Sequence, residues 1–296
     1  MTSLRLPAPA KLNLFLHITG QREDGYHDLQ TVFQLLDFGD TIELRTRADG
    51  HICRTRAIVG VTEDEDITLR AGRVLQQEAG TSLGVDIGVE KRLPLGGGLG
   101  GGSSDAATVL HGLNRLWKLG LGNSELARVG LTLGADVPVF VAGETAWAEG
   151  VGERLRPLPM TPAWFLVVDP GVRVPTAAIF GASELTRNTA PVTIRDLLPV
   201  GHFEHVPELS PDALLEHTGN DCEPVVRSLY PQVERALDWL AEHGQARMTG
   251  TGGCVFACFA TREEAEQAMA DRPGGCDAFV ARGVNRSPLL ARVQQT

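Results

Sequence analysis

The chain has 296 residues, enough for two domains of ordinary size. Its 43% apolar and 22% charged residues are the proportions of a soluble globular protein. A formal net charge of −10 disfavours a nucleic-acid partner, which asks for a basic face, but leaves room for a small anionic substrate held in a local cradle.

Residues 1–7 lack the apolar run of a secretory leader, and no window nears 18 uninterrupted apolar residues. Neither export nor a membrane span is expected, and the reading is a cytoplasmic protein. The five cysteines (Cys53, Cys222, Cys254, Cys258 and Cys276) are odd in number and form no C-x-x-C pair. They read as reduced, mostly core thiols.

From the N-terminus, Leu12, Leu14 and Leu16 alternate with Asn13, Phe15 and His17, as in a strand. That alternation puts Lys11 and Asn13 on one face, and Pro7 and Pro9 suit an edge or loop. Gly20 ends the strand, and residues 21–25 read as a turn. Tyr26 and His27 follow it directly. The plainer reading is an aromatic packed at a strand start; the sharper one is a pair that stacks on and hydrogen-bonds a planar base. Residues 40–46 alternate as a strand, residues 51–56 more weakly. The acidic run 63–66 reads as a loop or helix entrance, and 67–79 as a helix.

Next comes the most informative stretch: Pro94, Leu95, Gly96, Gly97, Gly98, Leu99, Gly100, Gly101, Gly102, Ser103, Ser104, Asp105. An alternating strand, 85–91, precedes it, and helical spacing of apolar residues follows from Ala106 to Trp117. Ser103, Ser104 and Asp105 are the candidate N-caps. Strand, glycine loop and helix start together make an anion cradle, because glycines admit close approach and helix termini offer free N–H groups. Gly96, Gly98 and Gly101 formally satisfy the dinucleotide fingerprint, yet the region about 20 residues on is a loop without the expected acid. Gly96 and Gly101 also fit the spacing of the P-loop, but Gly102 stands where its lysine must be. The loop is therefore of a third kind, and its cation must come from elsewhere.

A helix over 125–133 leads to Gly134-Ala135-Asp136-Val137-Pro138, where Asp136 reads alone as a helix cap. Residues 145–152 look like a strand and turn, and the proline-rich 156–162 marks the domain boundary. Residues 164–170 form a buried strand, and 174–180 a helix or loop. The segment 201–218 carries His202, His205 and His217 without ligand spacing and reads as a surface insertion. A helix over 230–243 precedes a second glycine turn, 247–259, that enters a strand. Thr261 and Glu264 form a capping box, and 279–284 closes as a strand. Interspersed strands and helices without repeats give two α/β or α+β domains.

Three stretches in this order, 94–105, 134–140 and 249–259, resemble the GHMP kinase superfamily. Residues 9–16, the Gly25-Tyr26-His27 triplet and 283–289 are similar to signatures of one branch, whose substrate carries a cytidine diphosphate. The resemblance covers nearly the whole chain. It implies an α+β fold of two domains, an N-terminal ATP-binding domain over 1–158 and a C-terminal domain over 159–296, with ATP and substrate between them. It implies transfer of the γ-phosphoryl group of ATP, with Mg2+, to the 2-hydroxyl of a methylerythritol unit, in the non-mevalonate route to isoprenoid precursors. It implies Asp136 as catalytic base, Lys11 as its partner, and residues 94–104 as the ATP-phosphate loop, with Ser103 or Ser104 reaching Mg2+. For the cytidine pocket it implies Tyr26 and Phe180 around the base and His27 at its edge, with Asn13 and Thr176 also on the substrate side. One position departs from the pattern: Asp66 stands where an asparagine near the adenine is expected, and a carboxylate accepts but cannot donate.

Overall fold

The computed structural model describes residues 3–197 and 209–295. Strand β1 (Ser3–Gln21) and strand β2 (His27–Arg47) form a long antiparallel hairpin across a turn in which Arg22 N–H donates to the Tyr26 carbonyl at 2.7 Å. The sequence suggested a strand start at Tyr26 and a separate strand over 40–46, but β2 is continuous because it has different partners along its length. Thr41–Arg47 pair with β4 (Gly84–Glu90) and Leu29–Phe33 with β5 (Ala146–Gly150). Strand β1 pairs with β2 alone, so Pro7 and Pro9 sit on an edge, where a missing N–H costs no ladder bond. The register slips between Pro9 and Lys11, and the Lys11 N–H is turned out to the Leu99 carbonyl at 3.0 Å.

Strands β3 (Ile52–Arg54) and β6 (Arg154–Pro157) complete the first sheet, and helices α1 (Ile67–Ala79), α2 (Gly101–Leu116), α3 (Asn123–Leu131) and α4 (Val137–Ala142) belong to the same half. Their core sets Val109, Leu110 and Leu113 of α2 with Leu44, Ile87 and Val137. Helix α2 lies close to the sheet: a Cβ on Gly112 would stand 2.3 Å from Leu44 Cδ1.

The second sheet runs β10 (Asp277–Val284), β7 (Trp164–Asp169), β9 (Val255–Phe259), β8 (Ala246–Met248), all antiparallel. Helices α5 (Thr176–Phe180), α6 (Pro211–His217), α7 (Glu223–Leu229), α8 (Pro231–Ala241) and α9 (Arg262–Ala270) accompany it. Val233, Ala236, Leu237 and Leu240 of α8 are buried at helical spacing, and Thr261 and Glu264 form the expected capping box on α9. The two sheets join where Gly283 and Val284 pair with Leu36 and Leu35.

One expectation changes. Helix α2 starts at Gly101, with left-handed Gly100 as N-cap and no side-chain cap, so Ser103, Ser104 and Asp105 lie inside the first turns rather than capping them. The glycines that bend the loop also begin the helix, which leaves its N–H groups uncovered by any side chain. Residues 156–162 are tied down, with Met160 N–H donating to Asn285 Oδ1 at 2.9 Å and Asn285 Nδ2 donating back to the Met160 carbonyl. Helix α10 (Pro288–Gln295) crosses back, burying Leu289 against Leu4 and Leu6 of β1. We retain 1–158 and 159–296 as the proposed domains, with α10 crossing that division. His202 and His205 lie outside the described residues, while His217 ends α6, which Ser210 caps.

Candidate active site

A cleft of about 910 Å³ opens between the two sheets, large for a small-molecule site. The glycine loop forms one wall, Pro94 through Ser103 all reaching the cleft. Ser104 is fully buried and its hydroxyl has no hydrogen-bond partner among the described residues. A Cβ on Gly98 would stand 2.3 Å from the Thr249 carbonyl oxygen, and Gly98 also has φ +77°. One on Gly100 would stand 2.8 Å from the Phe140 ring and 3.1 Å from Lys11 Cε. Glycine is thus demanded twice over at these two places, by backbone conformation and by close approach. The second glycine turn locks against the first, with Cys254 N–H donating to the Gly97 carbonyl at 3.0 Å.

Lys11 lies beneath the loop. Its ammonium donates to the Gly98 carbonyl at 2.9 Å and to Asn13 Oδ1 at 2.5 Å, and stands 3.3 Å from Asp136 Oδ2. Lys11 and Asn13 do share a face of β1. Asn13 is held by its other end, Nδ2 donating to Thr31 Oγ1 at 3.0 Å, so its carbonyl oxygen is fixed toward the lysine. The Lys11 side chain is 3% exposed and that of Asp136 33%. Asp136 occupies the N-cap position of α4, yet its side chain makes no capping bond and turns to Lys11. The plain capping reading of Asp136 therefore fails on geometry.

A second cation stands by the same loop. Lys91 donates to Asp40 at 2.5 Å and Asp105 at 3.1 Å, and Asp40 also accepts from the N–H groups of Arg92 and Leu93. Burial pushes Asp105 up to about 8, with Lys91 opposing and Asp40 adding to the rise. Burial alone would depress the Lys91 ammonium, but Asp105 and Asp40 outweigh it and raise it.

The opposite wall carries Asn13, Tyr26, His27, Thr176 and Phe180. Tyr26 is 62% exposed, whereas His27 is buried and stacks on Phe180 at 5.0 Å and 21°. Thr176 and Thr251 hydroxyls meet at 2.9 Å. The structure thus brings every sequence-derived site residue except Ser104 to one cleft. Asp66 instead caps α1, accepting from Thr68 N–H at 2.9 Å and Thr68 Oγ1 at 2.6 Å, with Arg54 at 3.7 Å. An acceptor is what an N-cap needs, which accounts for a carboxylate there. Sequence reading missed Lys91, Thr251 and Arg187. Arg187 bonds His27 from 160 residues away, and no local pattern marks it.

Comparison with known proteins identifies the family. Residues 66–144 match the GHMP kinases N terminal domain and residues 204–272 the GHMP kinases C terminal domain. The 4-diphosphocytidyl-2-C-methyl-D-erythritol kinase of Halorhodospira halophila is 56% identical over 96% of this chain and 94% of its own. That of Thiobacillus denitrificans is 53% identical over 97% and 98%. The chain belongs to the 4-diphosphocytidyl-2-C-methyl-D-erythritol kinases of the GHMP family. A crystal structure of such a kinase superposes with a TM-score of 0.77 at 31% identity, covering 95% of this chain and all of that one. The Methanococcus jannaschii mevalonate kinase, at 16% identity and a TM-score of 0.67 over 96% of this chain and 98% of that one, shares the fold. Membership makes the protein an ATP-dependent small-molecule kinase with the α+β fold expected from the sequence.

Proposed function

We propose that Asp136 is the base and Lys11 the transition-state cation of this kinase, acting on substrates seated on the two walls just described. The enzyme uses ATP, and its substrate is the cytidine diphosphate derivative of methylerythritol, in the non-mevalonate route to isoprenoid precursors. The single observation that carries the residue assignment is the Lys11–Asp136 pair on the cleft, where the carboxylate is the more exposed member and the lysine lies behind it at 3.3 Å. Phosphoryl transfer is mostly positioning and electrostatics, so a strong base is unnecessary. Asp136 orients the 2-hydroxyl of the methylerythritol unit and accepts its proton. Lys11, fixed by Asn13 and the Gly98 carbonyl, holds Asp136 in place and offsets charge on the transferring group.

In this reading the N–H groups from Gly96 to Ser103 receive the ATP phosphates at the uncapped start of α2. Mg2+ takes oxygen ligands and is bound largely through phosphates, so a site with one protein hydroxyl beside the loop suits it. Ser103 lines the cleft and Ser104 is buried, which favours Ser103 as the residue that would hold it. When bound, the metal supplies charge neutralisation on the phosphates. Tyr26 and Phe180 flank the cytosine, His27 meets its edge, and Asn13 and Thr176 contact the remainder. Among the described residues no helix is long and apolar enough to cross a membrane. We place the enzyme in the cytoplasm, with its small molecules as its partners.

The test is ADP release from Mg-ATP with the cytidylylated substrate against methylerythritol 4-phosphate, which lacks the cytidylyl group. Turnover of the first is expected to exceed that of the second at equal concentration. Equal turnover would remove the cytidine-pocket assignment.

A further inference from the structure

Two of the cations beside the glycine loop have most of their donors committed. The Lys11 ammonium donates to Asn13 and to the Gly98 carbonyl and pairs with Asp136. Lys91 donates to Asp40 and Asp105. A third cation, Arg173, comes from the other half of the molecule, in the segment between β7 and α5. Its side chain lies along Gly96. A Cβ on that glycine would stand 2.8 Å from Arg173 Cγ, 3.6 Å from Cδ and 3.5 Å from Nε. The missing Cβ is thus what lets the arginine stem rest on the loop and brings its guanidinium over it.

This guanidinium is unspent. Arg173 is exposed, and among the described residues no hydrogen bond or ion pair engages it. Glu65 feels its charge only weakly. The Glu65 carboxyl is held below its usual range first by the Thr62 hydroxyl and N–H, with Arg173 adding the least. A planar fork of N–H donors therefore stands over Gly96, which itself reaches the cleft, and wants an anionic acceptor from outside the chain.

We infer that Arg173 is an ATP-binding residue, donating from the C-terminal half to the phosphates seated on the glycine loop. The inference rests on the phosphate-loop reading above. The loop N–H groups supply only partial charges, and the acidic run 63–66, which includes Glu65, opposes a nucleotide anion on this side. A full cation at Gly96 offsets that repulsion, and an arginine matches phosphate oxygens two at a time. Arg173 is open to water and must be ordered on binding, so its effect is modest.

The experiment uses the full-length enzyme. Arg173→Ala should raise the KM for ATP about tenfold and leave the KM for the cytidine diphosphate substrate within about twofold. The kcat should also hold within about twofold, because a contact made alike to bound ATP and to the transition state moves KM alone. As competitive inhibitors, ADP should weaken with ATP, whereas adenosine, which has no phosphate, should not. Arg173→Lys should fall between wild type and Arg173→Ala. Arg173→Met keeps the stem across Gly96 without the charge and should match Arg173→Ala. If Arg173→Met behaves as wild type, or if adenosine weakens as much as ADP, the side chain acts by packing and the inference is overturned. If a folded Arg173→Ala keeps its KM for ATP while Gly98→Ala raises it, the inference fails alone. If Gly98→Ala also leaves that KM unmoved, the phosphate-loop reading fails with it.

Discussion

Two lysine–carboxylate groups stand beside the same glycine loop and face opposite ways. In the first, Lys11 is 3% exposed and Asp136 33%, so the cleft meets a carboxylate backed by a hidden cation. In the second, Lys91 is 19% exposed while Asp40 and Asp105 are 0% and 4%, so the cleft meets a cation backed by hidden carboxylates. The residue types match, and orientation separates the roles. A presented carboxylate can take a proton from a bound hydroxyl. A buried carboxylate pair with a lysine between them can only hold its own elements together, here the start of β2's neighbour loop at Arg92 and Leu93 and the first turn of α2. A charge pair near a loop is thus not evidence of catalysis until its open member is known.

The largest effect should come from breaking the first pair. Asp136→Ala is expected to lower kcat at least about 10³-fold, the upper range for a positioned proton acceptor. Its melting temperature should move little, because the side chain is part-exposed and makes no capping bond. Steady-state assays beside a thermal melt check both, and near-normal kcat in a folded protein would sink the base assignment. Lys91→Met should show the reverse pattern. Removing the cation leaves the buried Asp40 carboxylate without its ion-pair partner beside the protonated Asp105, a loss of about 3–5 kcal/mol in stability measured by urea unfolding. An unfolding midpoint indistinguishable from wild type would mean that the second cluster carries no structural charge.

Much of this was legible before the fold. The strand, glycine loop and helix order around 94–105, the alternation that put Lys11 and Asn13 on one face, and the α8 and α9 patterns are local signals, and local spacing encodes them. The capping of α2 was misread because Ser103, Ser104 and Asp105 have the right chemistry for a cap, while the backbone turn is set by Gly100, three residues before the first of them. Asp136 alone read as a cap, since nothing in its neighbourhood reveals a lysine 125 positions upstream in β1. Arg187, Lys91 and the locking of the two glycine turns are contacts of tertiary origin with no periodicity to expose them. Asp66 was noticed as unusual, and only the Thr68 contacts explain it.

The pair orientations depend on the loop that separates them, and Gly98 tests that dependence at smaller scale. Its carbonyl accepts from Lys11, and any Cβ there would meet the Thr249 carbonyl at 2.3 Å in a backbone conformation that side chains avoid. Gly98→Ala should cost about 1–3 kcal/mol in stability and raise the KM for ATP about tenfold, because the two glycine turns must part. An unchanged KM for ATP would detach the loop from nucleotide binding.

The last expected effect, and the sharpest for the comparison, lies in pH dependence and concerns Asp105. With its acidity pushed to about 8, the folded protein holds a proton there that the unfolded chain, with an ordinary carboxyl near about 4, releases. The folded state therefore binds more protons between those two values. The stability from this group is complete below about 4 and is lost as pH rises through about 8. Asp105→Asn keeps an acceptor toward Lys91 and puts an N–H where the acid carried its proton. It should change stability near pH 4 by less than about 1 kcal/mol and flatten the fall in melting temperature from pH 5 to pH 8, so that the variant is the more stable protein at pH 7. Groups remote from this cluster contribute equally in both proteins and cancel in the difference. If the two melting curves fall in parallel over that range, the folded protein holds no extra proton at Asp105, and its burial behind Lys91 does not set its protonation.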